Sequence, residues 1–329
     1  MLNQQQINNI FKIASIDDFN ETALEIFRYQ LETNSIYRDF VTKLRLQPEK
    51  VLSYHQIPFL PIDFFKNHQV ICGSTTPKQW FESSRTTGIT FSKHFYHNLT
   101  LYEKSFLQNF RMNYGAPEDY CFLAMLPSYL ESSRSSLVYM VGKLIETSKN
   151  LNSRFYKDNF NEIAEALTQL DQKGQKTMLL GVSFALLDLV SDRSFKLKNT
   201  IIVETGGMKG RKREMVRDEL HKRLKSGFGV DVIHSEYGMT ELFSQAWSDG
   251  NGKFITPPWM KVLIRDINDP LSLLKDGTTG GINIIDLANV HSCAFIATQD
   301  LGRKLHDGSF EVLGRFDNSD IRGCNLLMA

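Results

Sequence analysis

Glu236-Tyr237-Gly238-Met239-Thr240-Glu241 lies just beyond the apolar run Val230-Asp231-Val232-Ile233. The run predicts a strand, so Thr240 and Glu241 are expected at its carboxyl end. In an α/β sheet that is the end where ligands bind. Thr240 offers a hydroxyl to a phosphate or carboxylate oxygen. Glu241 offers a hard carboxylate oxygen suited to Mg²⁺, which needs only one or two protein carboxylates beside substrate phosphates. Tyr237 offers a ring to stack on a base. Taken alone, the same residues also fit a strand-to-helix turn with a Thr cap.

The surrounding pattern supports the α/β reading. Cys121-Phe122-Leu123-Ala124-Met125-Leu126, Thr177-Met178-Leu179-Leu180 and Thr200-Ile201-Ile202-Val203 are short apolar runs with strand character. Helical periodicity separates them. Ser135-Ser136 opens a helix bearing Leu137, Met140, Val141 and Leu144, and further helices are expected over Phe160 to Leu170 and Arg211 to Lys225. Alternating strands and helices predict layered sheets with a substantially parallel component. Before this region, Leu24, Phe27 and Leu31 follow a candidate N-cap at Asn20, and Ile36, Phe40, Val41 and Leu44 continue the spacing. Residues 1–80 therefore read as a helical cap, with Pro58 and Pro61 bracketing an extended segment. Between about 260 and 315, runs around Val262, Ile282 and Val312 alternate with turns such as Asp276-Gly277 and Asp307-Gly308, which predicts a small antiparallel β-region. The main domain is expected over residues 81–323 and a tail over 324–329.

The 329 residues, 42% hydrophobic and 23% charged, suffice for a large core. A net charge of +1 gives no global field toward nucleic acid. Lys209-Gly210-Arg211-Lys212-Arg213 is short and soon followed by Glu214, Asp218 and Glu219, which fits a solvated helix face. No apolar run is long enough for a membrane span, and the first residues lack signal-peptide character, so a cytoplasmic location is expected. Cys72, Cys121, Cys293 and Cys324 form no CxxC pair, which argues against a zinc or dithiol motif.

Four further fragments accompany the central hexapeptide. Ser83-Ser84-Arg85-Thr86-Thr87-Gly88 combines hydroxyls with backbone donors that can surround phosphate oxygens, although an ordinary polar turn has the same composition. Gly206-Gly207 follows a predicted strand and permits flat approach by a planar ligand such as adenine. Asp300 can accept from two ribose hydroxyls. Arg315 carries a permanent charge that can fork onto ribose or phosphate oxygens.

In this order the fragments resemble the adenylate-forming superfamily of acyl-CoA synthetases, luciferases and peptide-synthetase adenylation domains. The resemblance runs from about Phe81 to Gly323. It implies a phosphate loop at Ser83, Ser84, Thr86, Thr87 and Gly88, and adenine contact at Gly206 and Gly207. It also implies substrate and phosphate contact at Thr240, Mg²⁺ on Glu241, ribose on Asp300 and nucleotide contact at Tyr237 and Arg315. Asp317 or Asp320 would lie at the hinge. Glu204-Thr205-Gly206-Gly207-Met208-Lys209-Gly210-Arg211, Tyr237 to Leu242, and the terminal Arg322-Gly323-Cys324 are similar to LuxE-type acyl-protein synthetases, related to phenylacetate-CoA ligases. Arg85 departs from the Gly the superfamily prefers. The chain stops soon after Gly323, so the C-terminal small domain and its adenylating Lys are expected to be missing.

The resemblance implies ATP-dependent activation of a fatty or other carboxylic acid to acyl-AMP. Transfer to a protein thiol would follow, and then transfer to an acceptor protein such as a reductase or carrier. Cys324, next but one to Arg322, is the favoured thiol and Cys293, near His291, its rival; Cys121 reads as core. His234 is the one histidine expected near the site, and no GxSxG nucleophile elbow is present. Two other readings remain open: an acyltransferase using acyl-CoA or an acyl carrier without ATP, and a non-catalytic relic of the fold. Leu126, Tyr129 and Phe243 are candidates to line an acid pocket.

Overall fold

The computed structural model describes residues 2–75, 77–83, 91–126, 134–157, 159–206 and 215–315. Of the residues named above, Ser84, Arg85, Thr86, Thr87, Gly88, Tyr129, Gly207, Met208, Lys209, Gly210, Arg211, Lys212, Arg213, Glu214, Asp317, Asp320, Arg322, Gly323 and Cys324 lie outside them. In chain order the strands are β1 (Leu60–Pro61), β2 (Trp80–Glu82), β3 (Lys93–Phe95), β4 (Cys121–Met125), β5 (Arg154–Tyr156), β6 (Thr177–Gly181) and β7 (Thr200–Glu204). They continue with β8 (His234–Tyr237), β9 (Ala246–Ser248), β10 (Lys253–Phe254), β11 (Met260–Arg265), β12 (Thr279–Asp286), β13 (Phe295–Lys304) and β14 (Phe310–Arg315).

One sheet has the order β5-β4-β6-β7-β8-β9. Its first five strands pair in parallel, and β9 closes the edge antiparallel to β8. β4 and β6 are buried along their whole length, as expected of strands covered on both faces. The helices Ser136–Ser148, Phe160–Gln172, Ser183–Leu189 and Arg217–Phe228 supply the successive crossovers. The chain leaves β4 outward to β5 and then returns past it to β6. The order therefore reverses between β4 and β6, and the carboxyl ends of the strands there form the expected ligand edge.

The second sheet, β10-β14-β13-β12-β11, is an antiparallel meander, with β1 added in parallel to β13. Gly277 and Gly308, both at φ +88°, make the turns read from Asp276-Gly277 and Asp307-Gly308. The hairpin β2–β3 stands apart and introduces Ser83 and His94.

Three elements differ from the sequence reading. The first long helix is Ile16–Thr33, capped by Ser15 and Asp18 reciprocally at 3.0 Å, because this capping box satisfies two terminal donors at once. Asn20 lies inside that helix and accepts instead from the Tyr54 N–H at 2.8 Å. The charged helix is Arg217–Phe228 and not Arg211 to Lys225; Val216 immediately precedes it and is 73% exposed. The strand placed at Val230–Ile233 falls on His234–Tyr237, whose Val203–His234 and Glu204–Ser235 pairs with β7 set the register.

The opening helices are fastened to the segment after β12. Gln30 donates to the Val290 carbonyl at 2.9 Å and Asn34 to that of Ser292 at 2.8 Å. Phe19, Ala23, Ile26 and Phe27 of the first long helix are buried, an apolar stripe at helical spacing.

Candidate functional site

Side chains alternate along β8. Tyr237 is buried with its ring between Phe254 and Phe310, at centroid distances of 5.7 and 5.4 Å. Its hydroxyl donates to Asp300 Oδ2 at 2.8 Å. The ring expected to stack on a base is thus packed on two Phe side chains, and its hydroxyl orients Asp300. Asp300 on β13 faces Arg315 on β14 in register, and Arg315 Nε lies 3.2 Å from Asp300 Oδ1. Beneath them Arg265 is buried and donates to Asn283 Oδ1 at 2.9 Å and to the Ile282 and Thr298 carbonyls. Burial pulls the Arg265 pKa down to about 10, an effect the charge of Asp300 opposes.

The Met239–Leu242 turn follows, closed by Leu242 N–H on the Met239 carbonyl at 3.2 Å. The Thr240 carbonyl accepts from His94 Nδ1 at 2.8 Å, and the Glu241 carbonyl accepts from Asn289 Nδ2 at 2.8 Å. His94 Nε2 lies 2.9 Å from Asn289 Oδ1. Asp286, fully buried, holds the next residues: it accepts from the N–H groups of Phe243 and Ser244 at 2.7 and 2.9 Å and from the Ser244 hydroxyl at 2.6 Å. The motif is therefore clamped by its backbone, which leaves the side chains of Thr240 and Glu241 for other work.

Glu241 is itself buried. Burial pushes its carboxyl above the usual range, opposed by the Ser92 hydroxyl and by the charges of Arg315 and Lys66. No salt bridge reaches it among the described residues. Ser92 also pairs with Ser83: Ser83 N–H donates to the Ser92 carbonyl, and Ser92 N–H to Ser83 Oγ, both at 3.1 Å. The two ends of the hydroxyl-rich segment thus meet beside Glu241.

At the end of β7, Gly206 has φ +73°, and a side chain added there would meet nothing within 4 Å. Its N–H donates to Glu204 Oε2 at 2.8 Å. Glu204 is buried, which disfavours its charge. His221, Arg217, Ser235 and the Gly206 N–H outweigh that, and its carboxyl lies below the usual range.

The structure thus joins Tyr237, Asp300 and Arg315 by direct contact, places Glu241 within the field of Arg315, and brings Ser83 to Glu241 through Ser92. Gly206 lies at the same edge of the parallel sheet, on the strand next to β8. The Thr240 hydroxyl makes no bond among the described residues. His234 rests against the Tyr114 hydroxyl, 3.3 Å away. Sequence reasoning missed His94, Asn289, Asp286 and Ser92, which support the motif from distant segments and carry no local signature. Cys293 is excluded as an accessible thiol: it is fully buried, burial pushes its pKa up, and it donates to the Phe295 carbonyl at 3.4 Å. His291, near it in sequence, lies 3.3 Å from the Tyr29 hydroxyl. Cys72 and Cys121 are buried as well.

No protein-family model and no curated protein sequence matches the chain. Solved structures do. ATP-bound MatB from Rhodopseudomonas palustris is similar at a TM-score of 0.54 and 18% identity, over 72% of this chain and 47% of that one. A 2-hydroxyisobutyryl-CoA ligase in complex with 2-HIB-AMP and CoA is similar at a TM-score of 0.65 and 13% identity, over 97% of this chain and 73% of that one. The chain spans about half the length of the MatB structure. These likenesses establish the architecture: layered sheets and helices in the arrangement of these two structures. No helix among the described residues is long and apolar enough to cross a membrane.

Proposed function

We propose that this chain activates a carboxylic acid with ATP. The observation that carries the reading is the linked set Tyr237–Asp300–Arg315 beside Glu241, at the carboxyl ends of β7 and β8. Asp300, already oriented by Tyr237 and Arg315, accepts from ribose hydroxyls with its remaining lone pairs. Gly206 leaves a flat approach for the base. An acid oxygen forms a bond to the α-phosphorus as the bond to the bridging oxygen of the β-phosphate breaks, giving acyl-AMP and pyrophosphate. Two anions must meet, so charge compensation dominates the barrier. Arg315 supplies part of it and the Thr240 hydroxyl a further donor.

Glu241 fits a divalent cation: a hard carboxylate, buried, with no salt bridge among the described residues. Mg²⁺ held there would neutralise phosphate charge. In the finer reading, a thiolate then attacks the acyl carbonyl and AMP leaves, with Cys324 as the acceptor before transfer to a partner protein. It is supported by the resemblance of the motifs and by burial of the three other cysteines. The test is exchange of labelled pyrophosphate into ATP in the presence of a panel of acids, followed by mass spectrometry of the intact protein. Acid-dependent exchange is expected. Acyl transfer from acyl-CoA with no exchange would favour the ATP-independent transferase, and no nucleotide binding at all would favour the relic.

A further inference from the structure

Glu236 is the one carboxyl of the central motif that the reading above does not use. It sits on β8 beside Tyr237, so its side chain leaves the opposite face of the strand. That face is covered by the helix Thr100–Tyr114, whose Tyr102 and Tyr114 both feel the Glu236 charge. Its cross-strand partner is Trp247 on β9. The Glu236 carboxyl has no hydrogen bond and no salt bridge among the described residues, although its backbone belongs to the β8–β9 ladder. It lies against Gly238, which is exposed: a Cβ on Gly238 would stand 2.4 Å from Glu236 Oε1 and 3.3 Å from Gln245 Cγ. The carboxyl is therefore next to the open end of the turn that carries Thr240.

Two more deeply buried neighbours also carry unpaired polar atoms. Gln245 and Trp247 are 3% and 2% exposed, yet Gln245 Oε1 and Trp247 Nε1 have no hydrogen-bond partner. Buried polar atoms are nearly always paired, so two such atoms beside the unpaired carboxyl of half-buried Glu236, at one strand end, mark a place where a ligand supplies the partner. Burial, and then the nearby Glu204, push the Glu236 carboxyl up to about 8. No cation faces it among the described residues; the titratable groups around it are Glu204 on β7, Tyr102 and Tyr114 on the helix, and His234 on its own strand.

We propose that Glu236 selects the acid by receiving a hydrogen-bond-donating substituent on its carbon chain, a hydroxyl or an ammonium, with Gln245 Oε1 as a second acceptor and, for a hydroxyl, the Trp247 Nε1–H as a donor to it. This rests on the acid-activating function proposed above. It narrows the substrate from the fatty or other carboxylic acid that the motif resemblance implied to a hydroxy or amino acid. The shared chemistry is a donor meeting a carboxyl oxygen. An acid without that donor leaves the site's acceptor unpaired, which is why polar pockets discriminate far better than apolar ones, by up to roughly 10⁴-fold.

The test is acid-dependent pyrophosphate exchange on the full chain with three acids of equal length bearing a methyl, hydroxyl or ammonium group. The wild type is expected to favour one substituted acid over the methyl analogue by at least about 10-fold in kcat/KM. Glu236→Leu is expected to abolish or reverse that preference. Glu236→Gln, nearly isosteric and uncharged, is expected to keep a hydroxyl preference and lose an ammonium preference, which separates the two sources. A thermal melt and ATP binding confirm that each variant is folded. Equal use of all three acids by the wild type, or a preference unchanged in folded Glu236→Leu, overturns the proposal and leaves acid activation standing. Absence of exchange with every acid overturns acid activation, and this proposal with it.

Discussion

Acidification is expected to loosen the motif through His94. This ring is wholly buried and faces an acceptor at each nitrogen, the Thr240 carbonyl at 2.8 Å and Asn289 Oδ1 at 2.9 Å. Asn289 cannot turn its amide to help, because Nδ2 already donates to the carbonyls of Glu241 and Cys293. The two acceptors favour a charged ring, but burial wins and pulls the pKa down to about 4. Unfolded histidine takes a proton below roughly 6.5. Between these values the unfolded chain binds a proton that the folded chain does not, so stability is full above pH 6.5 and declines as pH falls toward 4. At pH 5 the deficit works out to about 2 kcal/mol. Urea unfolding at pH 7.5 and 5.0 measures it, with His94→Gln as the control. Other titrating groups, including Glu236 with its opposite sign, are common to both proteins. The wild type should therefore lose about 2 kcal/mol more than the variant. Parallel losses in the two proteins, or an imidazole signal titrating near 6.5 by NMR, would refute the argument.

Tyr237→Phe removes the hydroxyl donor to Asp300, and a hydrogen bond to a charged group is worth about 1.5–3 kcal/mol. Calorimetric titration should show ATP affinity reduced about 10-fold, since Asp300 loses its orientation; unchanged affinity would separate Asp300 from the nucleotide. Glu241→Gln should abolish the dependence of ATP binding on Mg²⁺ while the fold survives, as followed by titration with and without EDTA. Asp286→Ala strips the acceptor from Phe243, Ser244 and Ala288 and should cost about 3–5 kcal/mol in urea unfolding. Burial holds the Cys72 thiol up at about 12 and pushes Cys293 up as well, so iodoacetamide should label neither in the native protein at pH 8 and both in urea.

Local pattern determined much of the architecture. β4, β6 and β7 are continuous apolar runs, and the strands of the meander sit between Asp-Gly turns, so periodicity and turn chemistry within a few residues were enough. Tyr237, Asp300 and Arg315 could be singled out from the sequence by their side-chain chemistry, but their contact with one another could not. The beginning of the Arg217–Phe228 helix was not legible, since Met215 and Val216 continue the helical spacing without entering the helix. Nor was the position of β8, which pairing with β7 decides. What clamps the motif came only from the tertiary structure. His94 meets Thr240 across 146 positions, and Tyr237 meets Asp300 across 63. The same holds for Cys293, which by sequence is a thiol near a histidine and in the fold is core. The physical reason is that local preference depends on neighbours in the chain. A buried hydrogen bond, or the burial that moves a pKa, depends on which distant surfaces close over the residue.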